Sequence, residues 1–210
     1  MSHLILVRHG KSEWNLENRF TGWVDVDLAP KGKLEACKAG ELIKKLDLSI
    51  GHFFSSYQKR AIDTLKLILN TMRIKDDKIV KAWELNERHY GSLTGLNKNN
   101  PYHPLNIEIY KDIPKDKIPD TESLKDTYDR VIPYFKKNIE KKISENVMIS
   151  AHGNSIRSLC KYLFDISNEE ISKLEIPTGN PLILKFDDNI KLLNAKYLDK
   201  ERAKDLLKFG

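Results

Sequence analysis

Two stretches, L-I-L-V-R-H-G at residues 4–10 and V-M-I-S-A-H-G-N at residues 147–154, share one pattern. Each is a short aliphatic run of the kind buried in a sheet, and each ends in His-Gly ahead of a helix-forming segment. A buried strand has no structural need to finish in charged or titratable groups. Parallel sheets bind ligands beyond the carboxyl ends of their strands. Two such strands side by side would bring His9 and His152 face to face at that edge. Gly10 leaves the backbone there free to turn sharply or to approach another segment closely.

Outward from these runs, strands alternate with helices. A helix is predicted over 30–46, with Leu34, Ala39, Leu42, Ile43 and Leu46 on one stripe. A short strand over 52–56 follows, and Ser56 then caps a helix whose apolar face holds Ala61, Ile62, Leu65, Ile68 and Leu69. Residues 79–82 read as a strand and 121–143 as a long amphipathic helix kinked at Pro133. Strands at 147–151, 181–186 and 191–198 and a helix at 155–164 complete the order, before a charged tail from residue 200. Residues 97–119 carry Pro101, Pro104, Pro114 and Pro119 with no sustained period, and read as a loop excursion. The alternation predicts an α/β three-layer sandwich, a mostly parallel central sheet flanked by helices. We expect one domain over 1–210, with a short lid at about 97–120.

Composition narrows the function classes. With 40% hydrophobic and 31% charged residues, the chain reads as globular rather than disordered. The first apolar run stops at Val7, too early for a signal peptide, and no stretch approaches a membrane span. Cys37 and Cys160 form neither a disulfide framework nor a metal spacing, which suits a cytoplasmic location. The net charge of +6 comes from lysines scattered along the chain, with no basic block, so neither a nucleic acid nor a membrane surface is expected as partner. There is no G-x-G-x-x-G, no P-loop and no H-x-x-x-H, so no nucleotide fold and no metal is expected.

What remains points to phosphate. Arg60, in S-S-Y-Q-K-R-A, falls in the first turn of a helix, where a cation opposes the macrodipole. That placement suits a phosphate, because guanidinium grips phosphate oxygens bidentately. Arg8 adjoins His9 at the end of the first strand. Glu87, in L-N-E-R-H-Y-G, is a carboxylate set among basic groups, able to take and give a proton. His89 and His103 have no comparable argument and read as structural or surface residues. Handling phosphate without a metal leaves covalent chemistry, with a neutral imidazole attacking phosphorus while arginines hold the oxygens. The Gly10 carbonyl would fix the tautomer by accepting from the other ring nitrogen.

R-H-G-K-S-E-W-N (8–15), F-T-G-W (20–23), L-N-E-R-H-Y-G (85–91), G-L-N-K (95–98), T-E-S-L (121–124), A-H-G-N-S (151–155) and I-P-T-G-N-P-L (176–182) resemble the cofactor-dependent phosphoglycerate mutases of the histidine phosphatase superfamily. The resemblance implies that His9 is the nucleophile that becomes phosphohistidine and Glu87 the proton donor and acceptor. It implies that Arg8, Arg60 and His152 hold the transferring phosphoryl group. Ser12, Asn15, Thr21, Gly22, Arg88, Tyr90, Lys98, Gly153 and Asn154 would line the substrate site, with their motif neighbours Gly10, Lys11 and His89. The implied reaction interconverts 2-phosphoglycerate and 3-phosphoglycerate, as in glycolysis and gluconeogenesis, primed by 2,3-bisphosphoglycerate. A hydrolase acting on small phosphorylated metabolites through the same His9 is the alternative, and a non-catalytic binding protein is a third reading. A homodimer and a homotetramer both stay open. One departure stands out: family members carry a Trp-Arg-Arg motif after G-L-N-K, whereas no arginine lies between Lys98 and Thr121 here. Lys111, Lys115 and Lys117 are the cations available in its place.

Overall fold

The computed structural model describes residues 1–75, 78–99 and 121–202 of the chain. The strands are β1 (Ser2–Arg8), β2 (His52–Ser55), β3 (Ile79–Lys81), β4 (Val147–Ala151), β5 (Leu182–Phe186) and β6 (Leu192–Tyr197). The α-helices are α1 (Glu13–Leu16), α2 (Pro30–Lys44), α3 (Lys59–Met72), α4 (Leu124–Asn138), α5 (Gly153–Phe164) and α6 (Asn168–Ile171). The strands form a single sheet in the order β3-β2-β4-β1-β5-β6. β1, β2, β3 and β4 run parallel, and β5 alone opposes its neighbours on both sides. The predicted mostly parallel sheet is therefore mixed, with one reversed strand.

Period-two alternation in the strands builds a core on each face of the sheet. Leu4 and Leu6 of β1 join Phe54, Val147 and Ile149 in a cluster completed by Val131, Phe135, Ile156 and Leu159 of α4 and α5. Ile5 and Val7 point the other way, joining Phe53 and Met148 beneath Ala39, Ile43, Leu65 and Ile68 of α2 and α3. The parallel register pairs Leu4 with Val147 and Arg8 with Ala151, and the His9 N–H donates to the Ala151 carbonyl at 2.9 Å. Equal strand phase thus sets His9 beside His152 at one edge.

The structure corrects four readings of the sequence. Leu34 is 72% exposed, so the buried face of α2 is built from Glu35, Ala36, Ala39, Gly40 and Ile43 instead. Small residues win there because α3 lies close, and a Cβ on Gly40 would stand 2.7 Å from the Thr71 Cβ. Ser56 does not cap α3. Gln58 holds that position without a side-chain cap, while the Ser56 Oγ, two residues before it, accepts from Gln58 N at 3.1 Å and lies 2.7 Å from His152 Nε2. The segment predicted as one helix over 121–143 starts later, at the Ser123–Asp126 capping box, and ends at Asn138. A 3-10 segment, Glu140–Glu145, then turns the chain into β4. Finally, α5 begins at Gly153 rather than residue 155, which makes His152 its N-cap. The lid expected at about 97–120, with Lys111, Lys115 and Lys117, lies outside the described residues from 100 onward.

Candidate active site

The chain leaves β1 with Arg8 and then makes a close crossing that only glycine permits. A Cβ on Gly10 would stand 2.2 Å from the Gly32 carbonyl oxygen, and one on Gly32 would stand 2.1 Å from the Lys11 oxygen. The Gly10 N–H donates to Thr64 Oγ1 at 2.9 Å, and Thr64 Oγ1 donates to the Arg60 carbonyl at 2.7 Å. The His9 loop is thereby tied to the first turn of α3, which carries Arg60. His9 Nδ1 lies 2.8 Å from the Gly10 oxygen, as the sequence suggested. A carbonyl only accepts, so Nδ1 carries the proton and Nε2 presents its lone pair to the site.

Around that lone pair the groups converge. Arg60 Nε points at His9 Nε2 at 3.3 Å, while its two terminal nitrogens donate to the Val24 and Gly22 carbonyls at 2.9 Å each. Gly22 has φ +53°, which aims its carbonyl inward at low cost for a residue without Cβ. The rings of His9 and His152 lie 5.0 Å apart between centroids, and His152 Nε2 stands 2.7 Å from Ser56 Oγ. Arg8 donates from Nη1 to the Ile176 carbonyl at 2.8 Å, yet its buried Nε has no hydrogen-bond partner among the described residues. A guanidinium with an idle, buried donor is built for an anion.

Glu87 closes the ring. Its Oε1 accepts from Arg88 N at 2.8 Å, Asn154 N at 3.1 Å and Asn154 Nδ2 at 3.0 Å. Asn154 Nδ2 also donates to the Tyr90 hydroxyl at 2.9 Å. Gly153 brings α5 against this cluster, and a Cβ there would lie 3.6 Å from Arg8 Cζ and 3.7 Å from Glu87 Oε2. Lys98 stands with its ammonium over the Phe20 ring at 5.4 Å, in the electrostatic reach of Arg8 and Glu87. Thr21 is buried beside Gly22, and Arg88 stacks over the Tyr90 ring at 5.4 Å.

Other sequence candidates support the frame. Ser12 and Asn15 form the capping box of α1, and the Lys11 N–H donates to Glu35 Oε2 at 2.9 Å. The His89 ring meets Trp23 edge-on, with centroids 5.3 Å apart, and its Nδ1 accepts from Gly91 N at 3.3 Å. Sequence reasoning passed over three supporting groups. Gln58 donates to the Gly22 carbonyl and accepts from Glu87 N, both at 2.7 Å. Arg130 forms a bidentate pair with Glu122 at 2.7 and 2.8 Å and donates to the carbonyls of Glu84, Asn86 and Glu87. Glu122 was visible within T-E-S-L. Arg130, eight residues on, gave no local signal.

The electrostatics follow from burial among cations. Burial, then Arg60 and Arg8, push the His9 imidazole well below its ordinary range. Burial, Arg60 and His9 do the same to His152. Both rings are therefore neutral near pH 7. Burial pushes the Glu87 carboxyl up, but Arg8, the Arg88 N–H, Arg60 and the Asn154 N–H outweigh it and hold Glu87 below the usual carboxylate range. Burial brings Arg60 down to about 10, still charged. His9, Glu87 and His152 also place one potential metal-ligand atom each within 4.8 Å of one another, a grouping that sequence spacing concealed. Two guanidiniums against the same pocket, Arg60 buried and Arg8 half-buried, oppose a cation and favour an anion. The arrangement can hold a phosphoryl group, attack it with imidazole and exchange a proton with a nearby hydroxyl.

Known proteins resemble the chain over nearly its whole length. Residues 4–196 match the family described as histidine phosphatase superfamily, branch 1. A protein of Pelagibacter ubique strain HTCC1062, named 2,3-bisphosphoglycerate-dependent phosphoglycerate mutase, is 57% identical over all of both chains. One of the same name from Maricaulis maris strain MCS10 is 44% identical over 98% of each. Among solved structures, a phosphoglycerate mutase from Bacillus anthracis superposes with a TM-score of 0.73 at 22% identity, covering 93% of this chain and 91% of that one. No helix among the described residues is long and apolar enough to cross a membrane.

Proposed function

The chain belongs to the histidine phosphatase superfamily, and on that premise we propose that it is an isomerase interconverting 2-phosphoglycerate and 3-phosphoglycerate. The observation that carries the reading is the convergence of ligand atoms of His9, Glu87 and His152 within 4.8 Å, beside the buried Arg60 and the half-buried Arg8. We assign His9 as nucleophile, Glu87 as proton donor and acceptor, and Arg8, Arg60 and His152 as the grip on the transferring group. Thr21, Gly22, Arg88, Tyr90, Lys98, Gly153 and Asn154 line the substrate side, and the Gly10, Lys11, Ser12, Asn15 and His89 segments hold that lining in place. The name shared by the relatives adds 2,3-bisphosphoglycerate as primer, and the idle Arg8 Nε within a cationic pocket fits such a polyanion. When bound, it supplies the phosphoryl group for His9. The proposed setting is cytoplasmic, on small phosphorylated metabolites.

In the proposed chemistry, an N–P bond forms at His9 Nε2 as the P–O bond to the substrate oxygen breaks. That oxygen takes its proton from Glu87. In the reverse half, a substrate hydroxyl attacks the phosphohistidine and Glu87 takes the hydroxyl proton. Glu87 is held ionised at rest, which is the form this second half requires. A phosphoryl dianion between Arg8 and Arg60 offsets their charge, so it raises the proton affinity of Glu87 at the moment a donor is needed. The same dianion favours a proton on His152, which then donates to a phosphoryl oxygen.

The hydrolase reading draws on one specific observation: no arginine lies between Lys98 and Thr121. The alignment with the Pelagibacter relative also runs to 239 positions against the 210 residues of this chain, so that relative carries residues this chain lacks. One experiment separates the readings. The enzyme is given 3-phosphoglycerate with and without 2,3-bisphosphoglycerate, and 2-phosphoglycerate is scored against free phosphate. Primer-dependent 2-phosphoglycerate, with an acid-labile label that His9→Ala abolishes, is the expected result. Free phosphate as the main product, or a label that survives His9→Ala, would overturn the proposal.

A further inference from the structure

Arg157 lies on α5, one turn beyond Asn154, and the proposed chemistry gives it no part. Its side chain nevertheless ends in the acid–base cluster. Nε donates to the Leu174 carbonyl at 2.6 Å, which anchors the guanidinium from outside the pocket. Nη1 donates to Asn154 Oδ1 at 3.0 Å. The other end of the same amide, Nδ2, donates to Glu87 Oε1 at 3.0 Å and to the Tyr90 hydroxyl at 2.9 Å. A continuous hydrogen-bonded chain therefore runs from Leu174 through Arg157 and Asn154 to the carboxylate.

We propose that Arg157 is a positioning residue for the acid–base step: it locks the orientation of the Asn154 amide and so keeps the side-chain donor Nδ2 on Glu87 throughout the cycle. This rests on the reading of Glu87 as acid and base. The physical reason lies in what each group can offer. A guanidinium only donates, so Arg157 accepts no other end of the amide than its oxygen. An ionised Glu87 only accepts, and by itself would also select the amide N–H. The two restraints differ once Glu87 is protonated. A protonated Glu87 is a weaker acceptor, so without Arg157 the amide is free to turn over and withdraw Nδ2 from Oε1, which keeps only its two backbone donors. Loss of that donor disfavours the ionised form, raises the proton affinity of Glu87 and slows return of the base. With Arg157 in place the flip would set an amide N–H against a guanidinium, and it is blocked. Arg157 thus matters most in the half of the cycle where Glu87 carries the proton.

The test compares Arg157→Lys and Arg157→Met with the parent enzyme, reading kcat and KM against pH together with the melting temperature. Lysine keeps the charge but not the forked anchor on Leu174 and Asn154, so it isolates geometry from charge. In both variants the acidic limb of kcat should move up by about one pH unit, with kcat reduced roughly tenfold at any fixed pH on that limb and KM nearly unchanged. In an Asn154→Ala background, Arg157→Lys should add nothing, because its target is gone. A shift in the methionine variant with none in the lysine variant would make the effect one of charge and overturn the proposal. Additive effects in the double variant would overturn it too. Should Arg157→Met fail to fold, the lysine variant and the Asn154→Ala pair still decide the matter. The same profiles read on release of phosphate from 2,3-bisphosphoglycerate separate the two failures. If no 2-phosphoglycerate is formed but the limb still shifts, the mutase reading fails and the positioning role stands.

Discussion

Replacing Glu87 with Gln tests the core of the mechanism, because the structure predicts which properties survive. The amide oxygen can occupy the Oε1 position and keep the three N–H donors, Arg88 N, Asn154 N and Asn154 Nδ2, at 2.8 to 3.1 Å. Those bonds change from charge-assisted to neutral, a loss of roughly 1 kcal/mol each. The loss is partly offset because a buried charge is removed, so the fold should persist with a lowered melting temperature. Removing a negative charge that faces Arg8 and Arg60 leaves them more available to an anion, so substrate affinity should hold or rise. Proton transfer is what disappears. General acid–base help is typically worth ~10²–10⁴-fold, or about 3–5 kcal/mol on the barrier, and turnover should fall by that factor. Rapid quenching with labelled 2,3-bisphosphoglycerate should show slow phosphorylation of His9 reaching the normal stoichiometry. Turnover within a few-fold of the parent would move the acid–base role to another group. A tenfold loss of affinity accompanied by normal chemistry would make Glu87 a binding residue.

Three further outcomes are expected. His9 and His152 are held well below their ordinary range and His3 is also lowered, so the unfolded chain takes up protons below about pH 6.5 that the folded chain refuses. Stability is full above that pH and falls as the pH drops, at up to ~2.7 kcal/mol per unit from the two site histidines; urea titrations from pH 7.5 to 5 that show no such slope would refute the buried neutral pair. Dialysis against a strong chelator should leave mutase activity intact, because Arg8 and Arg60 already supply the positive charge at the His9–Glu87–His152 cluster; loss of activity that zinc or manganese restores would reverse that assignment. Grafting a Trp-Arg-Arg segment between Lys98 and Thr121 should lower the ratio of phosphate released to 2-phosphoglycerate formed, and an unchanged ratio would show that the native segment already protects the phosphoenzyme.

The parts of the fold legible in the sequence are those that local pattern controls. β4 was bounded to the residue, because V-M-I-S-A is an aliphatic run stopped by His-Gly. α3 was legible through its 3.6-residue period. Leu34 misled because periodicity does not reveal that a neighbouring helix approaches too closely for leucine. Ser56 misled because a serine before a helix caps by default, whereas here the N-cap falls two residues later and the hydroxyl bridges Gln58 N and a histidine 96 residues away. The reversal of β5 depends on the chain's path around the sheet edge, which no window of residues records. In the site, His9 and His152 were found through their shared context, and Glu87 through its cationic neighbours. Arg130 and Arg157 were not, since a surface-patterned arginine looks the same whether it meets water or a buried carbonyl.

The reaction partition between isomerase and hydrolase is decided away from the nucleophile. The proposed imidazole attack at phosphorus is common to both, and the grip proposed for Arg8, Arg60 and His152 would serve either. An isomerase must in addition retain a bisphosphorylated intermediate while it turns around, which demands cations at both ends of a small polyanion. The proposed transferring end has the half-buried Arg8 and the buried Arg60. At the far end the described residues offer Lys98, with Arg88 stacked on Tyr90 nearby. Burial and then Arg8 push the Lys98 ammonium down. That destabilised cation is relieved when an anion arrives, so part of its desolvation cost is already met before binding. Pre-placed charge of this kind strengthens the hold on a phosphate or carboxylate in the pocket, even where the sequence lacks the arginine pair of longer relatives. Among the described residues, Lys98 is therefore the cation whose part in that balance is to be tested. Lys98→Met should weaken bisphosphoglycerate binding and raise the share of phosphate released, with phosphorylation of His9 left near its parent rate. Equal losses in both half-reactions would place Lys98 at the reacting phosphoryl group instead.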